Sequence, residues 1–343
     1  MRTAVARAGW AALLASALAG SGCASHRGSA PQRYEFAEPQ MGVPFRLVLY
    51  APDGAEATNA ARAAWARIAD LNAKLSDYDA DSELSRLSRT SGSGEWVPVS
   101  DDLWRVLAAA QELSARSEGA FDVTVGPVVN LWRKARREKR LPDERLLPGA
   151  RARVGWQLVE LDARRHAVRL AVPDMRLDLG GIAKGYALDE ALKVLRDQGI
   201  TSALVSGGGD IAVSGNPPGQ RGWRIEVPGP GEAPSAPEFV RLQHAALATS
   251  GDLFQFVEIG GVRYSHIVDP RTGLGLTDHG LVTVIARDGT SADGLATALS
   301  VMGAAPGHLL LQDRPGAEAR VFRLRDDRLE AYATPGFHRW LER

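Results

Sequence analysis

The stretch Ala203-Leu204-Val205-Ser206-Gly207-Gly208-Gly209-Asp210-Ile211-Ala212-Val213-Ser214 decides the fold class. It opens as an apolar strand and then spells Gly-x-Gly-x-x-Ala over Gly207 to Ala212. A dinucleotide fold of the Rossmann type needs a helix directly after such glycines, because the helix N-terminus holds the pyrophosphate. Here Val213-Ser214-Gly215-Asn216-Pro217-Pro218 follows, which is strand and turn. The parallel, doubly wound reading fails, and a strand, a glycine bend and a second strand remain. Working outward, hydrophobic spacing predicts helices over 55–76, after Ser82, after Ser100, 124–140 with a turn at Gly126-Pro127, 183–198, 291–302 and 306–312. Period-two patterns predict strands over 45–50, 167–172, 175–179, 203–206, 211–214, 222–227, 239–242, 246–249, 281–287, 319–324 and 329–334. A hairpin is expected over 254–267 around Gly260-Gly261, and 228–237 is a Pro/Gly loop. Strands and helices mix without strict alternation, so the class is α+β, with mixed or antiparallel sheets and packed helices.

Composition sets the bounds. The 343 residues are 45% hydrophobic and 24% charged, which excludes a mainly disordered, collagen-like or polytopic membrane chain. Lys+Arg and Asp+Glu both number 41, a balance that argues against a general nucleic-acid binder. The single cysteine, Cys23, excludes an internal disulfide framework and any multi-cysteine metal centre. Residues 1–22 read as an export signal: Arg2 and Arg7 precede a short alanine-rich apolar run, and Gly20, Ser21 and Gly22 lead to Cys23. This resembles a bacterial lipobox, with Gly20 where Leu is usual, and implies lipidation of Cys23 and an exported, membrane-anchored protein facing the periplasm or cell exterior. The plain alternative is an ordinary secretory signal. Residues 23–38 are expected to be a tether and 39–343 one catalytic unit.

Three segments share one chemical logic. In Leu177-Asp178-Leu179-Gly180-Gly181-Ile182-Ala183-Lys184-Gly185-Tyr186, a strand ends in an acid, two glycines admit close approach of a ligand, and a helix begins. Free N–H groups there favour an anion, and Lys184 adds charge. Gly207, Gly208 and Gly209 can form a nest of N–H groups for phosphate, or simply a bend. Asp293 and Thr297 are four residues apart on a helix, a carboxylate and a hydroxyl on one face that suit Mg²⁺; the plain alternative is an N-terminal acid and a back-bonded threonine. His266, in Ser265 to Gly273, is a candidate general base, and Phe121, between Ala120 and Asp122, suits stacking on a flat ring. The basic run Arg133 to Arg140 reads as a solvated helix end, with a patch for phosphates or anionic lipid heads as the alternative.

In chain order, Met41-Gly42, Leu75 to Tyr78, Gly119 to Asp122, Asp178 to Tyr186, Ser206 to Asp210, Ala248 to Asp252, His266 to Gly273 and Asp293 to Thr297 together resemble the FAD:protein FMN transferases, the ApbE family. The resemblance implies a duplicated T-fold and export, often as a lipoprotein. It also implies Mg²⁺-dependent transfer of FMN from FAD to a threonine hydroxyl of a partner protein, an electron-transfer complex subunit, with release of AMP. It places FAD contacts on Met41, Tyr78, Ala120, Phe121, Asp122, Asp178, Lys184 and Val268. Metal contacts fall on Gly181 and Ala296 through the main chain and on Asp293 and Thr297 through side chains, with His266 as the base. The sequence departs from the family at Val43, where Thr is commoner, and the 228–237 loop looks like an insertion. A Mg²⁺-dependent FAD pyrophosphatase and a non-catalytic flavin-binding lipoprotein compete with this reading, and His266 beside Asp293 and Thr297 disfavours the second.

Overall fold

The computed structural model describes residues 30–229, 237–252, 255–312, 314–325 and 328–342. Eight strands form one sheet in which spatial order equals chain order. They are β1 (Gln32–Gln40), β2 (Val43–Ala51), β3 (Ala203–Gly207), β4 (Asp210–Ser214), β5 (Ala245–Gly251), β6 (His279–Ala286), β7 (Glu318–Arg325) and β8 (Arg328–Ala333). Every neighbouring pair is antiparallel, so the α+β expectation holds. The helices are α1 (Gly54–Leu75), α2 (Glu83–Arg89), α3 (Asp101–Arg116), α4 (Gly126–Glu138), α5 (Leu147–Arg151), α6 (Ala183–Asp197), α7 (Gly289–Met302) and α8 (Ala304–Gln312).

Alternation along β2 shows how the sheet sorts its two faces. Leu47 and Leu49 point into the core shared with α1, α6 and α7, while Val48 points to the opposite face. That opposite face is closed by the ribbon Trp223–Val227 and Glu238–Leu242 together with Phe337. The helical side packs closely because small residues line it. In α1, Ala57, Ala60, Ala61 and Ala64 are buried, and Asp53 caps the helix by accepting from the Ala55 and Glu56 N–H groups. Between α6 and α7, a Cβ on Gly185 would stand 2.0 Å from the Gly289 carbonyl oxygen, so only glycine permits this crossing. A third apolar cluster joins Val128 and Trp132 of α4 to Ala150 of α5 and Val257 of the hairpin Phe256–Ile259/Val262–Ser265.

Three differences from the sequence reading have physical causes. Residues 32–38, expected to be tether, belong to β1, whose Tyr34 and Phe36 pack against the core while its main chain pairs with β2. The segment 175–179 is not a strand. Its main chain bonds to loops and a side chain instead: Leu177 N to Ser88 Oγ, Asp178 N to Val123 O, and Arg176 O from Gly126 N. Gly126-Pro127 starts α4 rather than forming a turn before it, since Pro fits the first helical turn. The signal segment, Cys23 and residues 230–236 of the proline-rich loop lie outside the described residues. Among the described residues, no helix is long and apolar enough to cross a membrane.

Candidate active site

A cleft of about 920 Å³ opens where the sheet's β1–β2 turn, the starts of α6 and α4, one face of α7 and the end of the 256–265 hairpin meet. Met41, at φ +49°, and Gly42, at φ +77°, form the two-residue turn that puts Met41 on the rim. Tyr78, Ala120, Phe121, Asp122, Asp178, Gly181, Lys184, His266, Val268 and Thr297 also line the cleft. Residues spread over the chain from 41 to 297 therefore face one space large enough for a dinucleotide.

One wall is aromatic and acidic. Phe121 is buried, and its ring lies against Gly181. Asp122 accepts from Thr124 N at 2.8 Å and Thr124 Oγ1 at 2.6 Å, and burial raises its pKa. Asp178 accepts from Gly180 N at 2.8 Å and pairs with Arg133 Nη2 at 2.9 Å. Burial, and then the neighbouring Asp77 carboxylate, raise its pKa despite that arginine. Arg133 also pairs with Asp77 and lies 4.1 Å from the centre of the Tyr78 ring. Tyr78 is 77% exposed, so its outer ring face is open to a ligand. Arg133 and Arg136 both line the cleft, so this basic run is not wholly a solvated helix end. Their register with Val129 and Trp132 on one face of α4 was the signal that could have placed them.

The floor is charged. Lys184 Nζ lies 2.8 Å from Asp210 Oδ2 and 3.2 Å from Asp293 Oδ2, and Gly185 N donates to Asp293 Oδ2 at 3.0 Å. Burial, which lowers the lysine pKa, is outweighed by Asp293 and Asp210, which hold it above its ordinary value. Burial, reinforced by Asp293, pushes Asp210 up to about 7. Thr297 Oγ1 lies 3.5 Å from the Gly181 carbonyl oxygen, and a Cβ on Gly181 would come within 2.9 Å of that hydroxyl. A carboxylate, a hydroxyl and a carbonyl are hard oxygen donors, and one lysine stands against two buried carboxylates. The set fits a hard divalent cation such as Mg²⁺. No group of three or more His, Cys, Asp or Glu gathers among the described residues, so protein carboxylates and imidazoles alone do not complete a coordination shell.

Of the expected contributors, Gly207, Gly208, Gly209, Asp293 and Ala296 are not on the lining of the cleft; Asp293 and Ala296 are buried in α7 behind it. Gly207 pairs with Asp210 across the β3–β4 hairpin, and Gly208 (φ +63°) and Gly209 (φ +99°) are its tight turn. A Cβ on Gly207 would lie 2.6 Å from the Phe45 ring, so this glycine serves packing. These glycines do not line the cleft, although Gly208 abuts the Lys184 chain. Ala296 is fully buried, and its carbonyl already accepts from Ser300 Oγ at 2.8 Å.

His266 stands at the other side of the cleft. Its Nδ1 is 3.3 Å from the Gln255 carbonyl oxygen, a contact that selects the Nδ1–H tautomer and leaves the Nε2 lone pair free. Burial lowers the imidazole pKa below its ordinary 6.5, so the ring is neutral at pH 7 and can accept a proton. Gln255, absent from the sequence-derived site, lines the cleft beside it.

The ApbE family model matches residues 41–321. An FAD:protein FMN transferase of Haemophilus influenzae is 36% identical over 242 residues, 68% of this chain and 70% of the relative. One of Vibrio cholerae is 32% identical over 339 residues, 97% of this chain and 99% of the relative. Among solved structures, the flavin transferase ApbE from Vibrio cholerae superposes with a TM-score of 0.82 at 32% identity, covering 90% of this chain and 99% of that one. The apo form of Pseudomonas stutzeri flavinyl transferase ApbE gives 0.79 at 32% identity, covering 91% and 97%.

Proposed function

The chain belongs to the ApbE family and is a transferase, and from that premise we propose that it transfers FMN from FAD to a threonine hydroxyl of an exported partner protein, with Mg²⁺, releasing AMP. The observation that carries the proposal is the convergence of Tyr78, Phe121, Asp178, Lys184, Thr297 and His266 on one cleft of about 920 Å³, with Asp210 and Asp293 buried behind Lys184 and paired to it.

In the proposed step, the acceptor threonine Oγ attacks the phosphorus on the FMN side of the pyrophosphate. The new bond is Oγ–P, the bond broken joins that phosphorus to the bridging oxygen, and AMP leaves with the electron pair. His266 Nε2 takes the hydroxyl proton, which a poor nucleophile such as threonine must lose. Asp293, Thr297 and the Gly181 carbonyl would hold Mg²⁺, which when bound supplies charge neutralisation at the phosphate oxygens. Lys184, fixed between Asp210 and Asp293, keeps its positive charge in the cleft floor and orients the carboxylate. Tyr78 and Phe121 would flank flat rings of FAD, and Asp178, held by Arg133, would orient polar groups of the dinucleotide. The signal-like residues 1–22 and Cys23 support an exported enzyme tethered by lipid.

The test is to mix the protein with FAD, Mg²⁺ and a flavin-carrying partner domain. A covalent FMN mass increment on a partner threonine, with AMP in equal amount, is the expected result. AMP and free FMN without adduct would replace transfer by pyrophosphate hydrolysis, and bound FAD with neither product would leave a binder.

A further inference from the structure

His266 follows directly on the 256–265 hairpin, which forms its own two-stranded sheet apart from the main one. Its ring Nδ1 and its main-chain N both address the Gln255 carbonyl, at 3.3 and 3.1 Å. Where the hairpin stands therefore decides where the imidazole stands.

Among the described residues, a side-chain link from hairpin to main sheet is made at a buried carboxylate. Asp252, 3% exposed, sits just past the end of β5. Its main-chain N donates to Gly280 O at 3.2 Å, its Oδ1 accepts from Gly280 N at 3.2 Å, and its Oδ2 lies 2.8 Å from His279 Nδ1. These contacts pin it to the start of β6. On its other side is Arg263, from the hairpin's second strand: Nη2 donates to Asp252 O at 2.6 Å and Nε lies 3.1 Å from Oδ2. The same guanidinium lies 3.6 Å from the ring centre of Phe256 on the first strand, so one side chain holds both strands. Other ties of the hairpin, among them Trp132 Nε1 to Ser265 O and Ser265 N to Leu276 O, run to α4 and to a loop. A buried ion pair contributes little net stability, but it fixes geometry because either charge left alone in the interior is costly.

We propose that Asp252 is a positioning residue for His266, acting through Arg263 to set the imidazole's place in the cleft. The inference rests on the reading of His266 as base. Its test uses Asp252→Asn and, in case that variant fails to fold, Arg263→Met, which keeps a flexible apolar chain over Phe256. In each, kcat for FMN transfer falls about ten- to a hundredfold, as displacement of a catalytic group by an ångström does. The KM for FAD stays within about twofold of the wild type. The double variant is no slower than the slower single one, because both changes remove one interaction. The His266 imidazole proton resonance, identified by its loss in His266→Ala, shifts in both single variants. An unchanged kcat, a His266 resonance that does not move, or losses that multiply in the double variant would each overturn the proposal. If the wild-type protein makes no FMN adduct at all, the function reading falls, while the resonance shift still reports whether Asp252 positions His266.

Discussion

At the scale of single residues, chemistry depends on environments that only folding creates. Burial keeps His266 neutral, and the sign of its effect on pH dependence follows. A lowered imidazole pKa extends the basic form to lower pH, so kcat/KM for transfer should hold level through neutrality and fall only on an acid limb with an apparent pKa below 6.5. A pH–rate profile checks this, and a limb centred above 7 would exclude His266 as the base. Asp293→Ala should abolish the Mg²⁺-dependent part of the activity, read as transfer rate against Mg²⁺ concentration; an unaltered Mg²⁺ response would sink the metal assignment. Much of this was legible in the sequence. Lys184, Asp293, Thr297 and His266 stood out as charged or hydroxyl groups beside glycines or at helical spacing. The pairing of Arg133 with Asp77 did not, because it joins residues 56 apart in the chain.

Among elements, the decisive contacts are close helix crossings and a buried charge network. Gly185→Ala would force a Cβ into a carbonyl and separate α6 from α7, costing about 1–3 kcal/mol in overpacking, measurable by denaturant unfolding. The same change shifts Lys184 and Asp293, so activity should fall with stability. Across α1, α3 and α6, buried Asp102 is paired with Arg67 and Lys74 and accepts from Tyr186 Oη at 2.8 Å. The Arg67 hydrogen bond holds its carboxyl well below the usual range. For a depressed carboxylate, the stabilisation is complete above the unfolded value near 3.8 and is lost as pH falls through the lower folded value. Thermal melts should therefore show Asp102→Asn less stable than wild type at neutral pH, with the two converging in strong acid. Element types were readable from period and caps: Ser82 and Ser100 each cap the helix that follows. Two readings missed for one reason. Segments 32–38 and 175–179 carry weak patterns, and the partner of each main chain, a strand in one case and loops in the other, is not local.

For the whole molecule, the lipid-anchor proposal predicts that Cys23→Ala moves the protein from the membrane to the soluble fraction without changing transfer by purified enzyme. Fractionation with an activity assay checks it, and a variant that stays on the membrane would exclude the anchor. The sequence by itself determined the α+β class, since a strand and not a helix follows Gly207 to Gly209. It also determined the family and most residues of the cleft, because ordered short motifs survive without knowledge of their contacts. Tertiary structure alone decided that the eight-stranded sheet runs in simple chain order and that Gly208 and Gly209 turn a hairpin that does not line the cleft. It alone decided too that Arg133 faces the cleft and that Asp252 roots the hairpin carrying His266. The physical reason is the range of the interactions. Periodicity, caps and glycine turns act within a few residues and are written locally, whereas buried ion pairs and strand partners are chosen by segments far apart in the chain.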